Sequence, residues 1–171
     1  MQPKMVDQMS NKPETSPTTI LKVSLRPVTE QDLEVLYTHQ CDPIANQLAQ
    51  FSPRDREAFF AHWQHNILGQ ENVLAMAIVV DGKLVGYLGH WQSEGQSLVG
   101  YWIDREYWGK GVATQALGEF LPLVRLRPLF AHVASHNIAS QRVLLHHGFR
   151  LTNAYIQESG DTQPLVEFVL D

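Results

Sequence analysis

The tripeptide Asp81-Gly82-Lys83 separates two apolar runs, Val73 to Val80 and Leu84 to Trp91. A two-residue turn that follows the twist of paired strands needs positive φ angles, which Asp-Gly adopts at little cost. The two runs are therefore expected to pair as an antiparallel hairpin, and Ser97 to Ile103 follows closely enough to add a third antiparallel strand. Beyond Ile103 the pattern changes. A loop with two glycines opens a helix from about Gly111 to Leu121, with Ala113, Ala116, Leu117, Phe120 and Leu121 as its apolar stripe. Pro122 ends or kinks it. Leu129 to Ser135 returns as a strand, Asn137 starts a further helix, and Gly148 stops it where a left-handed residue is wanted. Phe149 to Gln157 and Pro164 to Leu170 read as a closing pair of strands.

Upstream, Leu21 to Arg26 alternates with period two and forms a first strand that Pro27 ends. Thr29 can cap a helix, with Asp32 at N3 as in a capping box and Leu33, Leu36 and Tyr37 as the buried stripe. A second helical stretch runs from about Asp55 to Ile67, with Phe59, Phe60 and Trp63 at helical spacing. Residues 1–18, rich in Pro, Ser, Thr, Asn and Gln, show no apolar periodicity and read as a flexible tail. That leaves residues 19–171 as a single domain. The expected fold class is α/β (α+β): a mixed, mostly antiparallel sheet of about six or seven strands flanked by helices.

A formal net charge of −5 and the lack of a long Lys/Arg run argue against a nucleic-acid partner, which needs cations to engage phosphates. They do not argue against a small anionic ligand, because free amides at a helix start bind phosphate without any global charge. The single cysteine, Cys41, excludes an internal disulfide and fits a reducing cytoplasm, the expected location. No run approaches the roughly 20 apolar residues that span a bilayer, so no membrane partner is expected.

The segment Tyr107-Trp108-Gly109-Lys110-Gly111-Val112-Ala113-Thr114 passes from loop into helix. Small residues at positions 109, 111 and 113 let a ligand lie on the main chain, where successive amides favour an anion and Lys110 adds charge. The spacing matches neither the Walker A loop nor the dinucleotide G-x-G-x-x-G. An ordinary strand-to-helix turn would also use glycines here. About thirty residues on, Asn137 and Ser140 share one face of a first helical turn. Asn137 could simply be an N-cap and Ser140 a first-turn polar residue; a cap can also present a polar group to a ligand.

These two segments together resemble the GNAT N-acetyltransferase family, and in particular its ribosomal-protein alanine N-acetyltransferase branch. A Tyr-Trp-Gly-Lys-Gly loop followed by an Asn-x-x-Ser-x-x-Val-Leu helix ending in Gly-Phe carries the likeness, which extends over about residues 22 to 171 and takes in Leu25-Arg26-Pro27 and the Asp81 hairpin. The resemblance implies a GNAT-like sheet with a splayed central strand pair, acetyl-CoA as cosubstrate, no metal, and an amine acceptor. It places the pyrophosphate on the amides of Trp108, Gly109, Lys110, Gly111, Val112, Ala113 and Thr114. The pantetheine arm would lie along Trp102 and Ile103, near Asn137. Ser140 would sit near the sulfur as proton donor to the leaving thiolate. Relatives often place a Tyr four residues after that Ser, but here Leu144 stands there. Their usual carboxylates are replaced by Leu98 and Gln115, leaving Glu158 as a distant candidate base.

The implied activity is direct acetyl transfer to a primary amine, either a protein N-terminus or a small molecule, by a monomer or homodimer. The missing carboxylates keep a second class open, an acyl-CoA-binding sensor or adaptor with little catalysis. A serine hydrolase is weaker, since Ser140 lacks the G-x-S-x-G setting. Eight histidines raise a metal question: His62 and His65 stand three apart, His132 and His136 share a strand face by parity, and His146 adjoins His147. No HExxH or zinc-spaced cysteine pair accompanies them. The acceptor pocket is expected between the segment from His39 to Gly69 and the terminal strands, with Trp91 and Trp102 on its wall.

Overall fold

The computed structural model describes residues 19–156 and 164–171. The strands are β1 (Val23–Pro27), β2 (Leu74–Val80), β3 (Lys83–Ser93), β4 (Gln96–Ile103), β5 (Leu129–Ala134), β6 (Arg150–Ile156) and β7 (Leu165–Leu170). The helices are α1 (Leu33–Gln40), α2 (Pro43–Ala49), α3 (Arg56–His62), α4 (Val112–Phe120) and α5 (Ile138–His146). The strands form one sheet in the order β1-β2-β3-β4-β5-β7-β6.

The Asp81–Gly82 turn has φ of +49° and +77°, as its composition requires, and β2 and β3 pair antiparallel across it. β4 pairs along its whole length with β3. Its contact with β5 is parallel and confined to Ser97↔Leu129 and Leu98↔Phe130, after which the two strands diverge. β5 pairs antiparallel with β7, and β7 with β6. The sheet is therefore continuous at one end of the β4–β5 junction and split at the other. Among the described residues, the outer edge of β4 has no strand partner from Val99 onward.

Alternation assigns the two faces. Val99 and Ile103 of β4, Ala131 and Val133 of β5, and Val166 and Phe168 of β7 enter one core with Leu117 and Phe120 of α4 and Leu144 of α5. Ala77 on the other face packs with Leu33 and Leu36 of α1 and with Phe59 and Trp63. Gly86 is required where β3 meets β4, because a Cβ there would collide with the Trp102 carbonyl.

Several elements differ from their sequence-based expectation. The first cap opens a 3-10 turn over Glu30–Asp32 before α1, with the Thr29 N–H donating to the Asp32 carboxylate at 2.9 Å. The stretch expected as one helix to Ile67 is regular only to His62, and a wider π turn carries Trp63–Ile67. β5 ends at Ala134, so His136 lies beyond the strand and does not share its face with His132; its Nε2 sits 3.3 Å from the Gln47 carbonyl. α2 is an additional helix, capped by Asp42, whose carboxylate accepts from the Ile44 N–H at 3.0 Å, with Pro43 in the first turn.

Candidate functional site

The passage from β4 into α4 is built by local geometry. Trp108 folds back so that its Nε1–H donates to the Ile103 carbonyl at 2.9 Å. Gly109 and Gly111 then take φ of +69° and +77°, a left-handed conformation that costs other residues about 1–2 kcal/mol. Gly111 is the N-cap of α4 and has no side chain to cover the helix end. The first helical bond runs from the Gln115 N–H to the Gly111 carbonyl at 3.1 Å, so the amides of Val112, Ala113 and Thr114 have no intrahelical acceptor. No acidic residue occupies this turn. The helix dipole and these free amides would favour an anion placed here.

A cavity of about 420 Å³ opens on this helix start. Of the residues the resemblance assigned to the cofactor, Trp102, Ile103, Trp108, Gly109, Gly111, Val112, Ala113, Thr114, Asn137 and Ser140 all line it. Lys110 does not; its Nζ lies over the Tyr107 ring, 5.3 Å from the centroid. Sequence reasoning missed Ala45, Leu48 and Ala49 of α2 and Arg142 of α5, which complete the walls. Asp42 holds α2 in place: besides capping the helix, it takes the Arg105 guanidinium at 2.7 Å. The Asp42-Pro43 pair was a readable helix start, and Ala45, Leu48 and Ala49 stand at helical spacing behind it, but an element of seven residues is too short to announce itself by periodicity.

A narrower cleft of about 120 Å³ lies where β4 and β5 part, lined by Val99 to Tyr101, Ala131 to Ala134, Asn137 and Ser140. Asn137 caps α5, its Oδ1 accepting from the Ser140 N–H at 3.2 Å, so the ordinary structural role holds. The Ser140 hydroxyl lies 2.7 Å from the Tyr101 hydroxyl. Sequence reasoning did not find this Tyr. The helical position that a relative's Tyr would occupy holds the buried Leu144, and a Tyr from β4 reaches the same serine from across the cleft. Burial pushes the Tyr101 phenol up to about 12, with the Ser140 hydrogen bond pulling the other way. The pair therefore stays protonated at neutral pH and can donate.

On the opposite face of the sheet a third cavity, of about 570 Å³, lies between α1, α3 and strands β3 and β4. Trp63, Tyr87, Trp91 and Trp102 give it an aromatic wall, and Arg54, His62 and His65 are its basic groups. Burial, and secondarily Arg54, lowers the His62 pKa. Trp102 borders both this cavity and the one at the α4 start, and its ring meets Phe51 edge-on at 5.4 Å. Leu98, buried beside Phe130, brings no carboxylate to the cleft. Glu158 lies outside the described residues. Among the described residues no group of three His, Cys, Asp or Glu side chains is placed to hold a metal, and no helix is long and apolar enough to cross a membrane.

The fold as a whole is shared with solved acetyltransferases. A spermidine N-acetyltransferase from Vibrio cholerae, solved with coenzyme A and spermine, has a TM-score of 0.72 at 16% identity, over 86% of this chain and 94% of that one. RimL, a ribosomal alpha-N-protein acetyltransferase in complex with coenzyme A, gives 0.70 at 19% identity, over 86% and 93%. An aminoglycoside acetyltransferase with coenzyme A gives 0.71 at 18%, over 87% and 94%. At these identities the likeness is one of fold. Among curated proteins none matches the sequence. The family model described as acetyltransferase (GNAT) domain matches residues 22–150, and the chain belongs to that family.

Proposed function

We propose that the chain is an N-acetyltransferase that moves the acetyl group of acetyl-CoA directly to a primary amine, on a protein N-terminus or a small molecule. The observation that carries this reading is the continuity of one path. It begins at the open amides of α4, follows the unpaired edge of β4 from Ile103 back to Val99, and ends at the Ser140–Tyr101 hydroxyl pair. An anionic head, an amide-bearing arm and a thioester have matching partners along it: amides and a helix dipole, a free strand edge, and a proton donor. Coenzyme A in the solved relatives supports the assignment, and their spermidine, aminoglycoside and ribosomal-protein names support an amine acceptor.

Acetyl-CoA supplies the activated acyl group. The protein's part is to hold it against the β4 edge, admit the amine from the aromatic cavity on the other face, and return a proton to the departing sulfur. Leu98, in place of a carboxylate, favours a second reading in which the chain binds acyl-CoA as a sensor. The two are separated by measuring acetyl-CoA affinity and free-thiol release with a panel of polyamines, amino acids, aminoglycosides and peptide N-termini. Turnover on any member supports the enzyme. Tight binding with no turnover supports the sensor, and no binding overturns both.

A further inference from the structure

Glu167 is a buried carboxylate in the middle of β7, only 8% exposed. Its neighbours Val166 and Phe168 enter the core with α5, so alternation turns Glu167 to the opposite face of the sheet. His132 is its direct cross-strand partner on β5, turned the same way because Ala131 and Val133 face the core. The Glu167 Oε2 accepts from His132 Nε2 at 3.3 Å and from Gln96 Nε2 at 3.0 Å, and Oε1 accepts from the Thr152 hydroxyl at 3.0 Å. Burial pushes this carboxyl up, but the hydrogen bonds from Gln96, Thr152 and His132 outweigh it, and the net pKa lies below the usual glutamate value. The group is an anion at neutral pH.

A carboxylate can only accept, so a neutral imidazole here donates through Nε2–H and keeps its lone pair on Nδ1. Among the described residues Nδ1 has no hydrogen-bond partner. The strand edge that carries His132 forms one wall of the cleft that holds Ser140 and Tyr101. The same parity puts Trp102 and Gly100 of β4 on the His132 face, where the Trp91 ring lies against Gly100. Tyr101 and Ser140 lie on the other face. The cleft therefore has a proton donor on the side of α5 and the His132 imidazole on the opposite face of the sheet.

We propose that His132, oriented by Glu167, accepts the proton that the acceptor amine loses during transfer, replacing the carboxylate absent at position 98. This rests on the N-acetyltransferase reading given above. The amine lone pair forms the N–C bond to the thioester carbonyl carbon, and the C–S bond breaks with its electrons on sulfur. One N–H proton passes to His132 Nδ1. The thiolate takes a proton from the Ser140–Tyr101 pair, which solvent refills, and His132 returns its own proton to solvent. His132 is the proton acceptor in this scheme, and Glu167 is a positioning residue that selects its tautomer.

The test uses the full chain with His132→Ala, His132→Gln and Glu167→Gln. Imidazole ¹⁵N shifts of His132, read without any ligand, are expected to show hydrogen on Nε2 in the wild type and a tautomer mixture in Glu167→Gln. With the same amine panel, and with water alone as acceptor, His132→Ala is expected to lose about 100-fold in kcat at unchanged acetyl-CoA affinity, the scale of general-base catalysis. Added imidazole should restore part of the loss, which no merely structural role would produce. If His132→Ala does not fold, His132→Gln and the wild-type tautomer carry the test. Full turnover in His132→Gln, or hydrogen on Nδ1 in the wild type, overturns this proposal alone, whereas acetyl-CoA binding by the wild type with no thiol release to any amine or to water overturns the N-acetyltransferase reading with it. Failure of the wild type to bind acetyl-CoA overturns the functional reading and this proposal together.

Discussion

At the scale of single residues, Ser140 and Tyr101, the proposed proton donors, are brought together from positions far apart in the chain. Each hydroxyl is the other's hydrogen-bond partner at 2.7 Å. Ser140→Ala is expected to lower kcat by about 100-fold, the lower end of the range for proton-transfer groups, while equilibrium binding of acetyl-CoA is retained. Unchanged turnover would remove Ser140 from the reaction. Tyr101→Phe should act in the same direction. Because the Tyr101 phenol is pushed up to about 12, it does not titrate in the ordinary assay range, and this variant should lower activity evenly from pH 6 to 9 without moving the profile. Gly111→Ala is a different kind of change. Its φ of +77° makes any β-carbon costly, and a loss of about 1–2 kcal/mol in denaturant titrations is expected, together with weaker cofactor binding. Asp32 gives a pH signature of its own. The hydrogen bond from Arg26 comes first in holding its carboxyl below the usual aspartate value, ahead of the opposing effect of burial and the added help of Thr29. A depressed folded-state pKa contributes stability that is present above the unfolded value of about 4 and is lost as pH falls through the folded value. Asp32→Asn should therefore flatten the acid limb of the stability curve, read as Tm against pH.

At the scale of elements, α2 is the part whose function is most easily separated from its stability. Asp42 both caps the helix and binds Arg105, so Asp42→Ala should cost about 1 kcal/mol for the cap and also weaken acetyl-CoA binding by freeing one wall of the cavity. Arg105→Gln keeps the cap, and should affect binding with little change in Tm. Equal effects of both variants on Tm would contradict this division. α2 also marks the limit of what the sequence disclosed. The hairpin at Asp81–Gly82, the glycine loop before α4 and the Asn137 cap were legible because each is a local demand of backbone geometry on residue type. The residues proposed to hold the cofactor came from the same local motifs, read through the family resemblance. Tyr101 and His132 were not legible as partners of Ser140 and Glu167, because the pairings join residues 39 and 35 positions apart. They follow from strand register and from the placement of β7 between β5 and β6, which no local pattern states. Glu167 had only its position in an otherwise apolar strand as a cue.

At the scale of the whole molecule, the split between β4 and β5 divides the sheet into two leaves that share only two paired positions. An antiparallel leaf, β1 to β4, meets a second leaf of β5, β7 and β6, and the common core with α4 and α5 holds them together. A ligand that pairs with the free edge of β4 supplies contacts the sheet itself lacks. Acetyl-CoA at about 100 times its Kd should therefore stabilise the fold by about 2.7 kcal/mol, and slow amide exchange most strongly in Val99 to Ile103 and the first turn of α4. Protection confined to the outer hairpin of β2 and β3 would contradict this placement. Trp102 has a further consequence. It is the shared border of two chambers, one at the α4 start and one under α1 and α3, and neither has to empty before the other fills. Both reactants can then be resident at once. Initial velocities measured at several fixed amine concentrations should give double-reciprocal lines that intersect; parallel lines would mean that the acetyl group rests on the protein between two separate visits.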